Sequence, residues 1–274
     1  MKNCGVIKAF YEICAIAILG MVMASTQAAA QDTQDLAKKL ANPVASLISI
    51  PFDLDYDHNI GPVDDGDRLT LIAKPVVPIT LNKEWNLISR TIVPLVTQDD
   101  ILPGAGDQTG LGDILQSLFF SPAKPTSGGL IWGAGPVLLF PAATDDLLGG
   151  EKWGLGPTGV VLTQKGPWTY GILANHIWDV AGEDNRADIN NTFLQPFVSY
   201  TTPTAWTYTL QTESTYSWEN EEWSVPINFA VSKLTRLGKV PVQYKAGLRY
   251  WADSTNSSPE GWGMKLGIVF LLPK

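Results

Sequence analysis

AWTYTLQTESTYSW, residues 205–218, alternates with a period of two. Trp206, Tyr208, Leu210, Thr212, Ser214, Tyr216 and Trp218 share one phase. Ala205, Thr207, Thr209, Gln211, Glu213, Thr215 and Ser217 share the other. That period describes a β-strand with two unlike faces. Aromatic rings stand at both ends of the oily face, and an amide and a carboxylate on the opposite one. A strand crossing a bilayer has this form, because Trp and Tyr settle at the two headgroup layers.

The same alternation recurs along the chain. It predicts strands at 47–57, 68–81, 85–97, 113–121, 130–140, 152–164, 168–180, 192–201, 205–218, 223–236, 242–251 and 262–272. The fourth is the weakest, since Leu115 and Phe119 blur the alternation of Ile114, Leu118 and Phe120. Twelve is an even count, as single-chain bacterial barrels require, and the connections alternate between tight turns and longer segments. Segment 122–129 is long for a periplasmic turn, and 219–222 is short for an outer loop. The predicted fold is an all-β transmembrane antiparallel barrel over 47–274, preceded by a short N-terminal periplasmic segment at 31–46.

Strand directions taken from the loop lengths supply a test. Trp85, Trp132, Trp168, Tyr170, Tyr200, Trp206, Tyr208 and Phe270 then fall at periplasmic ends. Tyr56, Trp153, Trp178, Tyr216, Trp218, Trp223, Tyr250 and Trp262 fall at outer ends, with Trp251 alone among the tryptophans out of phase. A soluble sandwich has no reason to form two belts. Against the barrel stand Pro51, Pro75, Pro78, Pro94, Pro136, Pro157, Pro196 and Pro226, all inside predicted strands. Each forfeits a ladder bond or marks a bulge, which can invert the local phase.

Residues 1–30 read as a secretory signal. Lys2 and Lys8 open it, Ile13 to Met23 form its apolar run, and Ala28-Ala29-Ala30 gives a small-residue cleavage site before Gln31. Both cysteines, Cys4 and Cys14, lie inside it, so the mature chain is expected to hold no disulfide or thiolate metal site. Nothing after the signal is apolar for the roughly 20 residues of a spanning helix. The chain carries 19 basic against 27 acidic residues, which argues against a nucleic-acid surface. Asp32 to Ala41 can form a short amphipathic helix with Leu36, Ala37, Leu40 and Ala41 on one face, ended by Pro43.

Polar residues on the inward phase are the candidate functional groups: Asp53, Asp55, Lys74, Arg90, Glu213, Lys245, Arg249 and Lys265. Gln195, Gln211 and Asn228 line other inner faces. If the last strand closes on the first, Asp53 and Asp55 come near Lys245, Arg249 and Lys265. The charges admit two readings, a lumen that selects solutes or opposite charges that pair to fill a narrow interior. His176 shares a phase with Trp178 near the outer rim, where some twelve-stranded barrels carry a His–Ser lipase site. The position two residues on is Trp178 rather than serine, so the chain is not expected to be an enzyme. His58 reads as a solvated residue opening a loop. Asp55-x-Asp57-x-Asn59 with Asp64, Asp65 and Asp67 echoes a calcium loop, but Ile60 and Gly66 replace its required glycine and glutamate. No cofactor or metal is expected.

Eight segments together resemble a bacterial family of outer-membrane transporters labelled "MetA-pathway of phenol degradation" and often misnamed neuromedin U. They are NPVASLISIPF at 42–52, LISRTIVP at 87–94, GLGD at 110–113, WGAGP at 132–136, GLGP at 154–157, GPWTYG at 166–171, QPFVSY at 195–200 and WSVP at 223–226. The resemblance implies a barrel assigned to transport, linked to aromatic catabolism by association, with no site residues to carry over. The chain departs from the usual assembly signal, a terminal aromatic residue, by ending Leu272-Pro273-Lys274. Expected partners are outer-membrane lipid and lipopolysaccharide, the barrel-assembly machinery and a small-molecule solute. No energy-coupling box is visible, so uptake is expected to be passive. The alternative is a non-conducting structural or adhesive barrel whose acidic loops bind cations.

Overall fold

The computed structural model describes residues 27–255 and 258–272. Fifteen strands run in one antiparallel sheet that closes on itself. They are β1 (Ile48–Ile60), β2 (Gly66–Ala73), β3 (Val76–Thr80), β4 (Trp85–Asp99), β5 (Gln108–Leu111), β6 (Ile114–Pro122), β7 (Leu130–Phe140) and β8 (Lys152–Lys165). β9 (Trp168–Gly182), β10 (Asn190–Thr201), β11 (Trp206–Thr212), β12 (Ser214–Ser217), β13 (Glu222–Leu237), β14 (Val240–Asp253) and β15 (Gly261–Leu272) complete it. Three pairs, β2/β3, β5/β6 and β11/β12, are single staves interrupted once, so the barrel has twelve staves. Closure is made by β15 on β1, with Leu54 opposite Leu266 and Asp55 opposite Lys265.

The interruptions sit beside prolines. Pro75 follows Lys74 at the β2/β3 break. At the β5/β6 break, Gly112 N–H donates to the Pro94 carbonyl at 3.0 Å, and at β11/β12 Glu213 N–H donates to that of Pro226 at 3.3 Å. Pro226 also marks a register shift between β13 and β14. The phase nevertheless survives each break that bears charge. Arg68, Thr70, Ile72, Lys74 and Val76 all face the interior, and so do Gln211, Glu213 and Thr215. Two hairpins are two-residue turns, Gly166-Pro167 and Gly238-Lys239. Their glycines hold φ of 56° and 62°, the positive value a type II′ turn needs at its first position.

The barrel is inside-out. Its exterior exposes large apolar side chains, among them Leu71, Ile79, Leu95, Ile172, Leu210, Ile227, Phe229 and Leu248. Its interior buries Asp53, Asp55, Asp57, Asn175, Asn228, Arg249 and Lys265. Among the described residues no helix is long and apolar enough to cross a membrane. Ring contacts fall in two separate sets. At the short-turn end Trp85 meets Trp132 (centroids 5.8 Å) and Trp168 meets Tyr200 (4.9 Å). At the long-loop end Tyr216 meets Trp218 and Trp223 (4.9 and 5.0 Å), and Tyr250 meets Trp262 (5.0 Å). Two girdles separated by an apolar band are what headgroup layers around hydrocarbon select.

Helix α1 (Gln27–Leu40) precedes the barrel and packs at its short-turn end. Ala37 is buried against Ala205, Leu234, Val269 and Leu271, with Leu36, Leu40 and Leu47 beside them. Gln164 donates from Nε2 to the Lys38 carbonyl at 2.8 Å and caps the helix end. After Pro43 the chain turns inward, and Val44 enters an apolar cluster of Ile88, Phe119, Val160, Leu162 and Leu173 on the inner wall. α1 starts before the expected Ala30–Gln31 cleavage point, and residues 1–26 of the expected leader lie outside the described residues.

Candidate functional site: a charged lumen

β1 carries Asp53, Asp55 and Asp57 on its inward phase, and the network is built around these three carboxylates. Asp53 pairs with Lys74 Nζ at 3.0 Å and with Lys245. Asp55 accepts from Lys265 Nζ at 2.6 Å and from Arg249 at 2.7 Å. The same guanidinium reaches Asp57 at 2.7 Å and donates from Nε to Asn228 at 3.0 Å. Glu213 completes the cluster, 3.5 Å from Lys265 and 3.7 Å from Arg249. Arg249 bridges from β14 across β15 to β1, which requires β15 to be low at that height. Gly263 and Gly267 supply the space. A Cβ at Gly263 would lie 2.5 Å from an Asp57 oxygen, and one at Gly267 would lie 2.5 Å from an Asp53 oxygen.

All eight residues singled out from the sequence face this lumen, and seven of them fall in two adjacent ion-pair clusters, Lys74 and Lys245 on Asp53, and Arg249 and Lys265 on Asp55 and Glu213. Arg90 is the exception, with no hydrogen bond or ion pair from its guanidinium among the described residues. Sequence reasoning left out Asp57 and Arg68. Asp57 reads from sequence as a strand residue and as part of a calcium-like loop, and its place on the inward phase is the signal for it. Trp251, out of phase with the girdles, faces inward; its Nε1 donates to Asp57 at 2.9 Å and its ring lies 5.4 Å from the Arg249 guanidinium.

The acidic run of the first loop therefore divides. Asp55 and Asp57 are lumen residues, Asp67 accepts from the Tyr56 hydroxyl at 2.8 Å, and Asp64 and Asp65 are exposed. His58 corrects the expectation of a solvated loop residue. β1 continues to Ile60, and His58 stands within it beside Tyr56, ring centroids 6.3 Å apart. Among the described residues no three His, Cys, Asp or Glu side chains are grouped to hold a metal.

Cavities lie on both sides of the network. Toward the long loops is a vestibule of about 520 Å³. One arc of its wall is charged, with Asp55, Asp57, Arg68 and Arg249; the facing arc is apolar, with Ile92, Leu115, Leu139, Ile177 and Phe193. Toward α1 are two smaller cavities of about 220 and 200 Å³. The former holds five cationic side chains, Lys39, Lys74, Arg90, Lys245 and Lys265, against the carboxylates of Asp53 and Glu213. Lys74, Arg90 and Glu213 line both this cavity and the vestibule, so they mark the level between the two. The roof is anchored by side chains of the wall. Asp113 accepts from Gly150 N–H at 2.7 Å, and Gln98 donates to the Leu147 carbonyl at 3.2 Å.

His176 points outward into the long-loop girdle. Its Nδ1 lies 2.7 Å from the Thr192 hydroxyl, to which Trp218 Nε1 donates at 2.8 Å, and its ring is tilted against that of Trp178, centroids 4.1 Å apart. A hydroxyl is thus within reach, on the neighbouring strand. Its Nε2 is buried without a partner, and among the described residues no carboxylate or amide hydrogen-bonds the ring. Nothing orients the histidine as a general base, and the trio reads as a girdle rivet.

No protein-family model matches the chain, and no curated relative does. Solved structures do. The chain is similar to the COG4313 outer membrane channel from Pseudomonas putida F1, at 14% identity and TM-score 0.64, over 82% of this chain and 96% of that one. It is also similar to the NanC porin, at 10% identity and TM-score 0.50, over 82% of this chain and 100% of that one. At these identities the likeness establishes the fold. It is the closed twelve-stave antiparallel barrel on which outer-membrane channels and porins are built.

Proposed function

We propose that this chain is a passive outer-membrane channel for small molecules, delivered by a signal peptide cleaved after Ala30. One observation carries the reading: Lys74, Arg90 and Glu213 border cavities on both sides of the charge network. A barrel filled solely for stability has no reason to leave polar space above and below a ring of ions. Solutes would cross between vestibule and lower cavity past these three side chains, without energy coupling and without chemistry. The fold shared with outer-membrane channels and porins supports the class. The transporter-family resemblance of the sequence motifs adds aromatic or apolar compounds as candidate cargo. Lipid and lipopolysaccharide would contact the girdles, and the barrel-assembly machinery would insert the chain.

The test is planar-bilayer recording of the purified protein in potassium chloride. Discrete conductance steps are expected, with cation-to-anion selectivity altered in Arg90→Gln. Silence at every holding potential, from protein that remains folded in the bilayer, would refute conduction and favour the structural or adhesive barrel.

A further inference from the structure

We infer that the vestibule selects small amphipathic organic anions, seating the apolar body on the β4–β10 arc and the anionic head at Arg90. The inference rests on the channel reading above and names its cargo. Three features of the lumen carry it.

The inner wall is divided by chemistry. Charged side chains occupy the arc from Glu213 on the β11/β12 stave through β14, β15, β1 and β2 to Arg90 on β4. A mostly apolar arc occupies β4 and β6–β10, interrupted by the amides of Asn175 on β9 and of Asn191 and Gln195 on β10. In the short-turn half that apolar arc is covered by Val44, buried among Ile88, Phe119 and Leu162. In the vestibule Ile92, Leu115, Leu139, Ile177 and Phe193 line open space instead. Apolar side chains bordering a polar cavity favour a solute that covers them with apolar surface of its own. A bare inorganic ion gains nothing from these apolar side chains.

Arg90 supplies the second half. The other lumen cations of the network are held by carboxylates: Lys74 and Lys245 by Asp53, Arg249 by Asp55 and Asp57, Lys265 by Asp55 and Glu213. Arg90, outside those ion pairs, has a guanidinium with no hydrogen-bonded acceptor among the described residues, and it stands at the level where vestibule meets lower cavity. A planar fork of donors suits a carboxylate or sulfonate bidentately. On β4, Ile92 is two residues away and faces the same way, so head and body subsites are adjacent on one strand.

The third feature sets direction. Arg90 and four lysines, against two carboxylates, line the lower cavity, so an anion leaving the vestibule enters a more positive field, whereas a cation is repelled.

The test is a bi-ionic reversal potential in planar bilayers with the full mature chain. Potassium hexanesulfonate is compared with potassium gluconate, a polar anion of similar size; both stay ionised and neither crosses lipid. Hexanesulfonate is expected to be several-fold more permeant than gluconate. Arg90→Gln should remove most of the anion preference. Leu139→Ser with Ile177→Ser should lower hexanesulfonate permeability several-fold and leave gluconate unchanged, which separates the apolar subsite from misfolding. Conducting protein that passes both anions equally, or prefers potassium, overturns the amphipathic-anion inference and leaves the channel intact. Protein silent even in potassium chloride overturns the channel reading itself, and this inference with it.

Discussion

Arg249→Met tests whether the lumen network behaves as buried ions or as solvated ones. The guanidinium makes two charge-assisted bonds at 2.7 Å, to Asp55 and Asp57, and one of 3.0 Å to Asn228. Its side chain is 8% exposed and those of its two carboxylate partners 4% and 7%. Methionine fills comparable volume without charge, so the substitution removes the cation and leaves the carboxylates behind. They are not wholly abandoned. Asp55 keeps Lys265 at 2.6 Å, and Asp57 keeps the indole N–H of Trp251. Breaking a buried pair from one side costs about 3–5 kcal/mol. The surviving partners and the adjoining vestibule place this case at the lower bound, about 3 kcal/mol, or roughly 100-fold in the folding equilibrium.

The assay is urea unfolding in lipid vesicles, followed by tryptophan fluorescence, for which the chain has ten reporters. Adding Asp57→Asn to Arg249→Met removes the stranded carboxylate while its amide oxygen still accepts from Trp251. The double variant should therefore be more stable than Arg249→Met alone, by about 1 kcal/mol or more. Arg249→Lys should fall between, since a point charge on one stem cannot reach Asp55, Asp57 and Asn228 together. A cost below about 1 kcal/mol for Arg249→Met, with Asp57→Asn adding to it rather than offsetting it, would mean the pairs are screened like surface ions. The reasoning would then be wrong.

Two further outcomes follow from the same geometry. Deleting residues 31–46 removes α1 and the Val44 insertion from the short-turn half of the lumen, so single-channel conductance should rise several-fold while the barrel still assembles; unchanged conductance would mean this segment does not narrow the path. Gly263→Ala places a Cβ 2.5 Å from an Asp57 oxygen and 2.8 Å from the Tyr56 carbonyl; overpacking of this kind costs about 1–3 kcal/mol, and an unchanged urea midpoint would contradict the close approach of β15 to the network.

Period two located all twelve staves because bilayer and lumen impose opposite chemistry on alternate residues. Leu130–Phe140 coincides with its predicted strand, and β4, β8, β9 and β13 differ from theirs by two residues or fewer at either end. The reading failed where that contrast disappears. In β6 the even positions face outward, with Phe120 45% exposed, and Phe119 points inward and is fully buried. Both phases are apolar there because the inner wall itself is apolar, so polarity could not tell the faces apart. The divided lumen wall was invisible for the same reason, since a single strand's pattern says nothing about which arc it joins. His58 was misplaced because a run of Asp, His and Asn resembles a loop, whereas β1 carries those residues into the lumen and the girdle. Proline at the breaks was legible as an irregularity, but its position beside Lys74 and Glu213, the two charges at the cavity boundary, depends on pairing across the sheet.

The placement of charge at the closing seam solves a register problem as well as filling space. β1 and β15 lie at opposite ends of the barrel sequence, so no short turn fixes their alignment. The pairing Asp55↔Lys265 and Asp53↔Gly267 does so. A slip of one residue would turn three aspartates out to hydrocarbon. A slip of two would set Asp55 opposite Gly263 or Gly267 and separate it from Lys265. Arg249, reaching Asp55 and Asp57 over Gly263, locks β14 to the same alignment. Seam charges thus have a structural task, pairing with one another across β14, β15 and β1, whereas Arg90 stands on β4, outside the seam. Substitutions at Arg249 or Lys265 should therefore act chiefly on stability and assembly, and those at Arg90 chiefly on which ions pass. That separation lets one molecule satisfy both sequence readings of its interior, a paired scaffold along one arc and a selective surface beside it.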